Sequence, residues 1–139
     1  MAYGTDQSTK FSKGKWFVDL DYDFKANPLT GDLVLKTNDQ AVKNSVRALI
    51  NTNKYDRVFQ PSIQSRLRKL LFEQITPLLG INIKSNIEDV IRLHEPRVQL
   101  QSIVVNTFED QNAIEITIQY NILNEEQISV LSVTMERSR

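Results

Sequence analysis

The 139 residues contain no cysteine, which excludes a disulfide framework, a thiolate nucleophile and any thiolate-ligated zinc or iron–sulfur centre. Histidine occurs once, as His94, with no second histidine at metal-site spacing and no serine–histidine–acid arrangement around it. Only four glycines are present and none belongs to a phosphate-cradling loop. Neither sign of charge dominates: 17 basic residues balance 17 acidic ones, so no global field points to nucleic acid or to an anionic membrane surface. No apolar run approaches the ~20 residues needed to cross a bilayer, and the opening Met1-Ala2-Tyr3-Gly4-Thr5-Asp6 lacks the basic and apolar regions of a secretory signal. The expectation is a soluble protein of cytoplasmic origin that holds no cofactor or metal and binds neither nucleic acid nor membrane.

What is present suits one domain of moderate size. Residues 1–14 are polar (Ser8, Thr9, Lys10, Ser12, Lys13, Gly14) and read as a flexible N-terminal arm, leaving 15–139 as a single folded unit. Val18, Leu20, Tyr22 and Phe24 alternate with Asp19, Asp21 and Asp23, a half-buried strand with one solvated acidic face. A calcium loop would need glycine at the sixth position and glutamate at the twelfth, and Phe24 and Thr30 stand there instead. Asn27-Pro28 and Thr30-Gly31-Asp32 are turn chemistry before the apolar run Leu33-Val34-Leu35. Thr37 and Gln40 have the spacing of a capping box opening a helix that buries Val42, Val46, Leu49 and Ile50. Arg57–Pro61 reads as extended, ending in a turn. A second helix sets Leu67, Leu70 and Leu71 against Arg66, Arg68 and Lys69, runs through Phe72-Glu73 and stops before Pro77. Its basic cluster reads as a solvated face, with a docking patch as the alternative.

The third helix, about 80–95, buries Ile83, Ile87, Val90 and Ile91 at i, i+4, i+7 and i+8. It meets a strand pattern at His94-Glu95-Pro96-Arg97. Pro96 lacks an N–H and biases Glu95 away from the α region, so the helix stops there. The proline fixes where Glu95 and Arg97 leave the body of the fold, and Glu95 is placed to hold the rigid guanidinium fork. Beyond it, Val98 and Leu100 change parity with Ile103 and Val105 at Ser102, which predicts a bulge. Glu109–Asn112 turns the chain into Ile114, Ile116, Ile118, Tyr120 and Ile122, an uninterrupted alternation. Ile128, Val130, Leu131, Val133 and Met135 form a last run with a second parity change. Together these predict an α+β fold: three helices packed on a mainly antiparallel sheet made by the early strand and a C-terminal meander. Edge strands that shift face offer backbone groups to another chain.

The segments "NPLTGDL", "DRVFQPSIQSRLRKLLFE", "IEDVIRLHEPRV" and "IEITIQYNI" occur in the order found in the baseplate-wedge and sheath-initiator family of contractile phage tails. The chain resembles that family over roughly residues 16–136. A counterpart in the type VI secretion baseplate carries the same Glu-Pro-Arg signature. One departure is Gln64, where the family often has glycine. The resemblance implies a non-enzymatic assembly role in a virion tail baseplate, the protein being made in the host bacterial cytoplasm. Its implied partners are the tail sheath protein, the helical core bundle of the wedge and the tube or hub proteins, in a ring of about six copies. It also implies residue roles. Arg97 is the forked donor to the wedge core, Glu95 its orienting or partner-binding carboxylate, and Pro96 the rigid corner. Ile114, Ile116, Ile118, Tyr120, Ile128, Val130 and Val133 lie on strands that face the sheath.

Proteins of this family have carried a lysozyme label, so a glycosidase is the enzymatic rival. It needs two carboxyl groups ~5–9.5 Å apart in a cleft, one with a raised pKa. Glu73, Glu88 and Glu95 are its candidates by residue type, and no sugar cleft is legible around them. His94 reads as a helix-end residue beside the C-terminal dipole. A small adaptor of the same fold that binds one partner outside any ring is the third reading.

Overall fold

The computed structural model describes residues 17–136 apart from Tyr22, Lys54 and Asn124; the expected polar arm, 1–14, lies outside them. Eight elements follow in order: β1 (Val18–Leu20), β2 (Leu35–Thr37), α1 (Asp39–Asn51), α2 (Leu67–Leu71), α3 (Pro77–His94), β3 (Val98–Phe108), β4 (Ala113–Ile122) and β5 (Ile128–Glu136). The α+β class is as the sequence indicates. The early strand, however, does not join the meander. β1 pairs with β2 in a two-stranded antiparallel ribbon, and β3-β4-β5 form a separate antiparallel sheet. The turn chemistry at 27–32 explains the ribbon. Asn27 and Asp32 close a hairpin, Gly31 donates to the Asn27 carbonyl, and its φ of 71° is one that glycine adopts without steric cost.

The core lies between α1 and α3 on one side and the inner face of the three-stranded sheet on the other. Val42, Val46 and Ile50 of α1, Ile83, Ile87 and Ile91 of α3, and Ile114, Ile116, Ile118, Tyr120 and Ile122 of β4 are all buried in it. Each such side chain contributes roughly 1.5–3 kcal/mol through apolar burial. Because β4 is the middle strand, its backbone is hydrogen-bonded on both edges. The side chains of Ile114, Ile116, Ile118 and Tyr120 are buried in the core with the helices. On β5 the inward set is Ser129, Leu131, Val133 and Met135, with continuous register against β4. The expected parity change is absent because Ser129 takes the inward position, where its hydroxyl donates to the Asp39 carboxylate. Val133 thus packs on the core, while Ile128 and Val130 point outward, 57% and 48% exposed. The bulge in β3 falls between Leu100 and Ser102, and the 109–112 turn leads into β4, both as read.

Several boundaries differ from the sequence reading. Thr37 ends β2 rather than capping α1; the N-cap is Asn38, whose side chain makes no cap bond. Asn38 instead pairs with Phe17, accepting from its amide through Oδ1 and donating its own amide to the Phe17 carbonyl at 2.8 Å. Residues 57–60 form a turn, not an extended segment. α2 is five residues long and stops before Phe72. Pro77 begins α3 instead of separating it from α2: at the first helical position its missing N–H is not needed, and Thr76 caps the end by accepting from Leu79 N.

Candidate functional site

The α3–β3 corner is built from four segments of chain. α3 ends at His94, and Glu95 closes it by donating its amide to the Ile91 carbonyl at 2.8 Å. The Val98 amide returns to the Glu95 carbonyl at 3.2 Å, and the Arg97 carbonyl accepts from Leu123 beyond the end of β4 at 2.9 Å. The backbone on both sides of exposed Pro96 is therefore fixed. The two charged side chains do not leave the body of the fold, as the spacing had indicated; they fold back against it. Glu95 is only 3% exposed. Arg97 donates from Nε to Glu95 Oε1 at 2.6 Å and from Nη2 to Oε2 at 2.9 Å, a bidentate contact. Its Nη1 reaches Asp19 Oδ2 of β1 at 3.2 Å, and the guanidinium lies 5.4 Å from the centroid of the Phe17 ring. Ser45 of α1 donates a short hydrogen bond to Glu95 Oε2.

This clasp ties β1, α1 and the start of β3 to the end of α3. Burial by itself would push the Glu95 carboxyl up; the hydrogen bonds from Arg97 and Ser45, with the Arg97 charge, outweigh it and hold the group below the usual carboxylate range. The Arg97 guanidinium is held charged by the Glu95 hydrogen bonds against its own partial burial. Three of its five N–H groups are committed within the chain, and its side chain keeps 24% exposure.

Asp19 and Ser45 escaped the sequence reading. Ser45 lies three residues after Val42 and four before Leu49, on the buried stripe of α1, and a small polar residue on such a stripe is a usable signal. Asp19 gave no such signal, because β1 is inverted. Val18 and Leu20 are 45% and 50% exposed, whereas Asp21 is buried and Asp19 is turned toward Arg97. Of the acidic face expected in solvent, Asp19 meets the corner, Asp21 is buried beside Lys36 and Asp23 stays exposed.

Beside the clasp opens a cleft of about 880 Å³, with Asp19, Asp21, Ser45, Leu49, Arg57 and His94 on its walls. None of the three glutamates considered for a glycosidase sits in this cleft as a free general acid. Glu95 is engaged and held ionised, the reverse of what a general acid needs. Glu88 is paired with Arg92 at 2.8 Å on the surface of α3, and Glu73 lies exposed beyond α2. Among the described residues no group of three His, Asp or Glu side chains is arranged to hold a metal ion.

A sequence model of the family described as baseplate wedge protein gp25 matches residues 36–127. Baseplate wedge protein gp25 of Enterobacteria phage T4 is 28% identical over 110 residues, which cover 79% of this chain and 83% of that protein. Among solved structures, a protein of Geobacter sulfurreducens described as a candidate tail lysozyme superposes with a TM-score of 0.69 at 20% identity, over 76% of this chain and 96% of its own. A chain of the anti-feeding prophage baseplate gives 0.62 at 23% identity, over 85% and 83%. At those identities the two superpositions establish a shared fold.

Proposed function

The chain belongs to the baseplate wedge protein gp25 family, and on that premise we propose that it is a non-enzymatic structural component of a contractile-tail baseplate, located in the virion tail. It docks on the wedge core through the Glu-Pro-Arg corner and offers a sheet edge on which sheath polymerisation begins. The observation that carries the docking half is the bidentate Arg97–Glu95 contact. Glu95 acts as the orienting carboxylate and Pro96 as the rigid corner. Arg97 keeps two N–H groups that the described residues do not use, fixed in direction before any partner arrives. Pre-fixing a donor lowers the ordering cost of association. A helix of the wedge core would present carbonyl or carboxylate oxygens to those N–H groups, with the adjacent cleft receiving its side chains.

For the sheath half, β3 and β5 are the two edges of the meander. The bulge in β3 interrupts one edge, and bulges are a usual way of blunting an edge against pairing. β5 has continuous register and exposed Ile128 and Val130, which favours it as the strand that sheath arms extend by β-augmentation. One added strand binds weakly; repeated around a ring of about six copies it binds strongly through effective concentration. Tube or hub proteins complete the surroundings of such a ring.

Electron microscopy of tails assembled without this chain tests the proposal. Tubes or baseplates lacking sheath are expected, and contractile tails of normal appearance would overturn it.

A further inference from the structure

The basic cluster on α2 takes no part in the clasp or in either sheet edge, and its surroundings are specific. Ser65 anchors the approach to α2 against the end of α1: its amide donates to the Thr52 carbonyl at 2.9 Å and its hydroxyl to the Ile50 carbonyl. The Arg66 amide donates to Asn86 Oδ1 of α3 at 3.1 Å. These bonds fix the backbone and leave the side chains outside. Beside them runs a cleft of about 610 Å³ lined by Asn53, Gln64, Ser65, Arg66, Arg68 and Lys69. No carboxylate lines it. Glu73, the nearest acid in sequence, is exposed beyond α2 and forms no ion pair with the cluster; Asp56 is turned back onto Asn53, accepting from its amide at 2.7 Å and from Nδ2 at 3.1 Å. Lys25, Lys36, Lys43, Arg92 and Arg97 each have a carboxylate partner. Arg66, Arg68 and Lys69 are exposed and have none among the described residues.

We propose that this cleft is a docking site for an acidic segment of another protein in the assembly, its Glu or Asp side chains reaching Arg66, Arg68 and Lys69. The inference rests on the assembly role proposed above for the existence of protein neighbours, and it adds a second contact surface remote from the Glu-Pro-Arg corner. Forked guanidinium donors match carboxylates in two-point contacts, and the Asn53 and Gln64 amides suit the backbone of an extended peptide. Nucleic acid fits less well. A phosphate backbone is held by a broad basic surface, whereas here three cations line a recess in a chain of zero formal net charge.

The test is fluorescence anisotropy of a labelled hexaglutamate peptide with the full chain, against hexalysine and oligothymidylate as comparison probes. The expected result is hexaglutamate binding that weakens with salt and falls about tenfold or more in Arg66→Glu/Arg68→Glu/Lys69→Glu, corresponding to loss of one charge-assisted contact. Lys84→Glu, on the exposed side of α3, should leave binding unchanged. The triple glutamine variant covers the case in which charge reversal prevents folding, and should weaken binding in the same direction. Absence of binding to the unaltered chain, equal binding to the charge-reversed or glutamine variant, or tighter binding of oligothymidylate than of the peptide would overturn the proposal. Those outcomes concern this cleft alone; the wedge role fails separately, by normal sheathed tails in the absence of the chain.

Discussion

Arg97 and Glu95 meet across Pro96 through two hydrogen bonds, Nε to Oε1 at 2.6 Å and Nη2 to Oε2 at 2.9 Å, with the carboxylate buried and the guanidinium partly open. The pair joins the end of a helix to the start of a strand and, through Ser45 and Asp19, to two more elements. The carboxylate that in the proposed role orients Arg97 toward a partner also ties elements of the fold together. The two roles can be separated experimentally.

Removing one member leaves the other's charge stranded. Arg97→Ala leaves the Glu95 carboxylate without its guanidinium partner and should destabilise the chain by about 3 kcal/mol, the low end for breaking a buried pair because the guanidinium is 24% exposed. Replacing both with Glu95→Ala/Arg97→Ala should cost less than the single Arg97 change, because no unpaired carboxylate remains. Chemical denaturation of the two single variants, the double variant and the parent chain gives the coupling directly.

The same pair sets an acid limit. The folded state holds the Glu95 carboxyl below its usual value of 4.5, so its contribution to stability is complete above the unfolded-state value and is lost as pH falls through the lower folded one. Thermal melts should show a loss of Tm beginning near pH 4.5 and growing as pH falls. Glu95→Gln should lower stability at neutral pH and flatten that acid slope.

Tyr120 gives the opposite kind of prediction. Its hydroxyl is buried with no hydrogen-bond partner among the described residues, and burial, with the Asp39 and Glu95 charges, pushes its pKa up. Neutral tyrosine is therefore the folded form, and stability present below about pH 10 is lost above it as the unfolded chain ionises. Tyr120→Phe should be neutral or stabilising at pH 7, by up to ~1–3 kcal/mol for a removed unsatisfied hydroxyl, and should reduce the alkaline loss. Melts at pH 7 and pH 11 check both.

On β5, Ile128 and Val130 point away from the core, so Ile128→Lys/Val130→Lys should leave Tm nearly unchanged while guarding the edge against strand addition. Baseplates carrying this variant should contain the chain but start no sheath. Sheathed tails in normal number would count against β5 as the initiating edge.

The order and type of most elements were legible because their patterns were long and unbroken: the α3 stripe from Ile83 to Ile91, the β4 alternation from Ile114 to Ile122, the parity slip at Ser102. Patterns of three or four residues failed. Val18-Asp19-Leu20 has the alternation of an amphipathic strand, yet its polar side faces inward because Arg97, distant in sequence, supplies a partner for Asp19. Thr37 and Gln40 had capping-box spacing, but cross-strand pairing with Val18 claimed Thr37. The run from Ile128 to Met135 showed a parity change that the strand does not have, because Ser129 takes the inward position beside Asp39. At the corner, the residue types and the helix stop were readable from Pro96. The direction of Glu95 and Arg97 was not, since it depends on Ser45, Asp19 and Phe17, none of which is near in sequence.

Arg97→Lys separates orientation from charge most directly. Lysine keeps a cation beside Glu95 and Asp19 but cannot make the two-point contact or present fixed outward N–H groups. The measurement is the amount of this chain in baseplates assembled with the lysine variant, alongside its melting curve in isolation. A folded, cooperatively melting variant that is depleted from baseplates at least about tenfold, the effect of losing ~1.4 kcal/mol of docking energy, is the predicted result. Incorporation of the folded lysine variant at the level of the parent chain would contradict the oriented-arginine account.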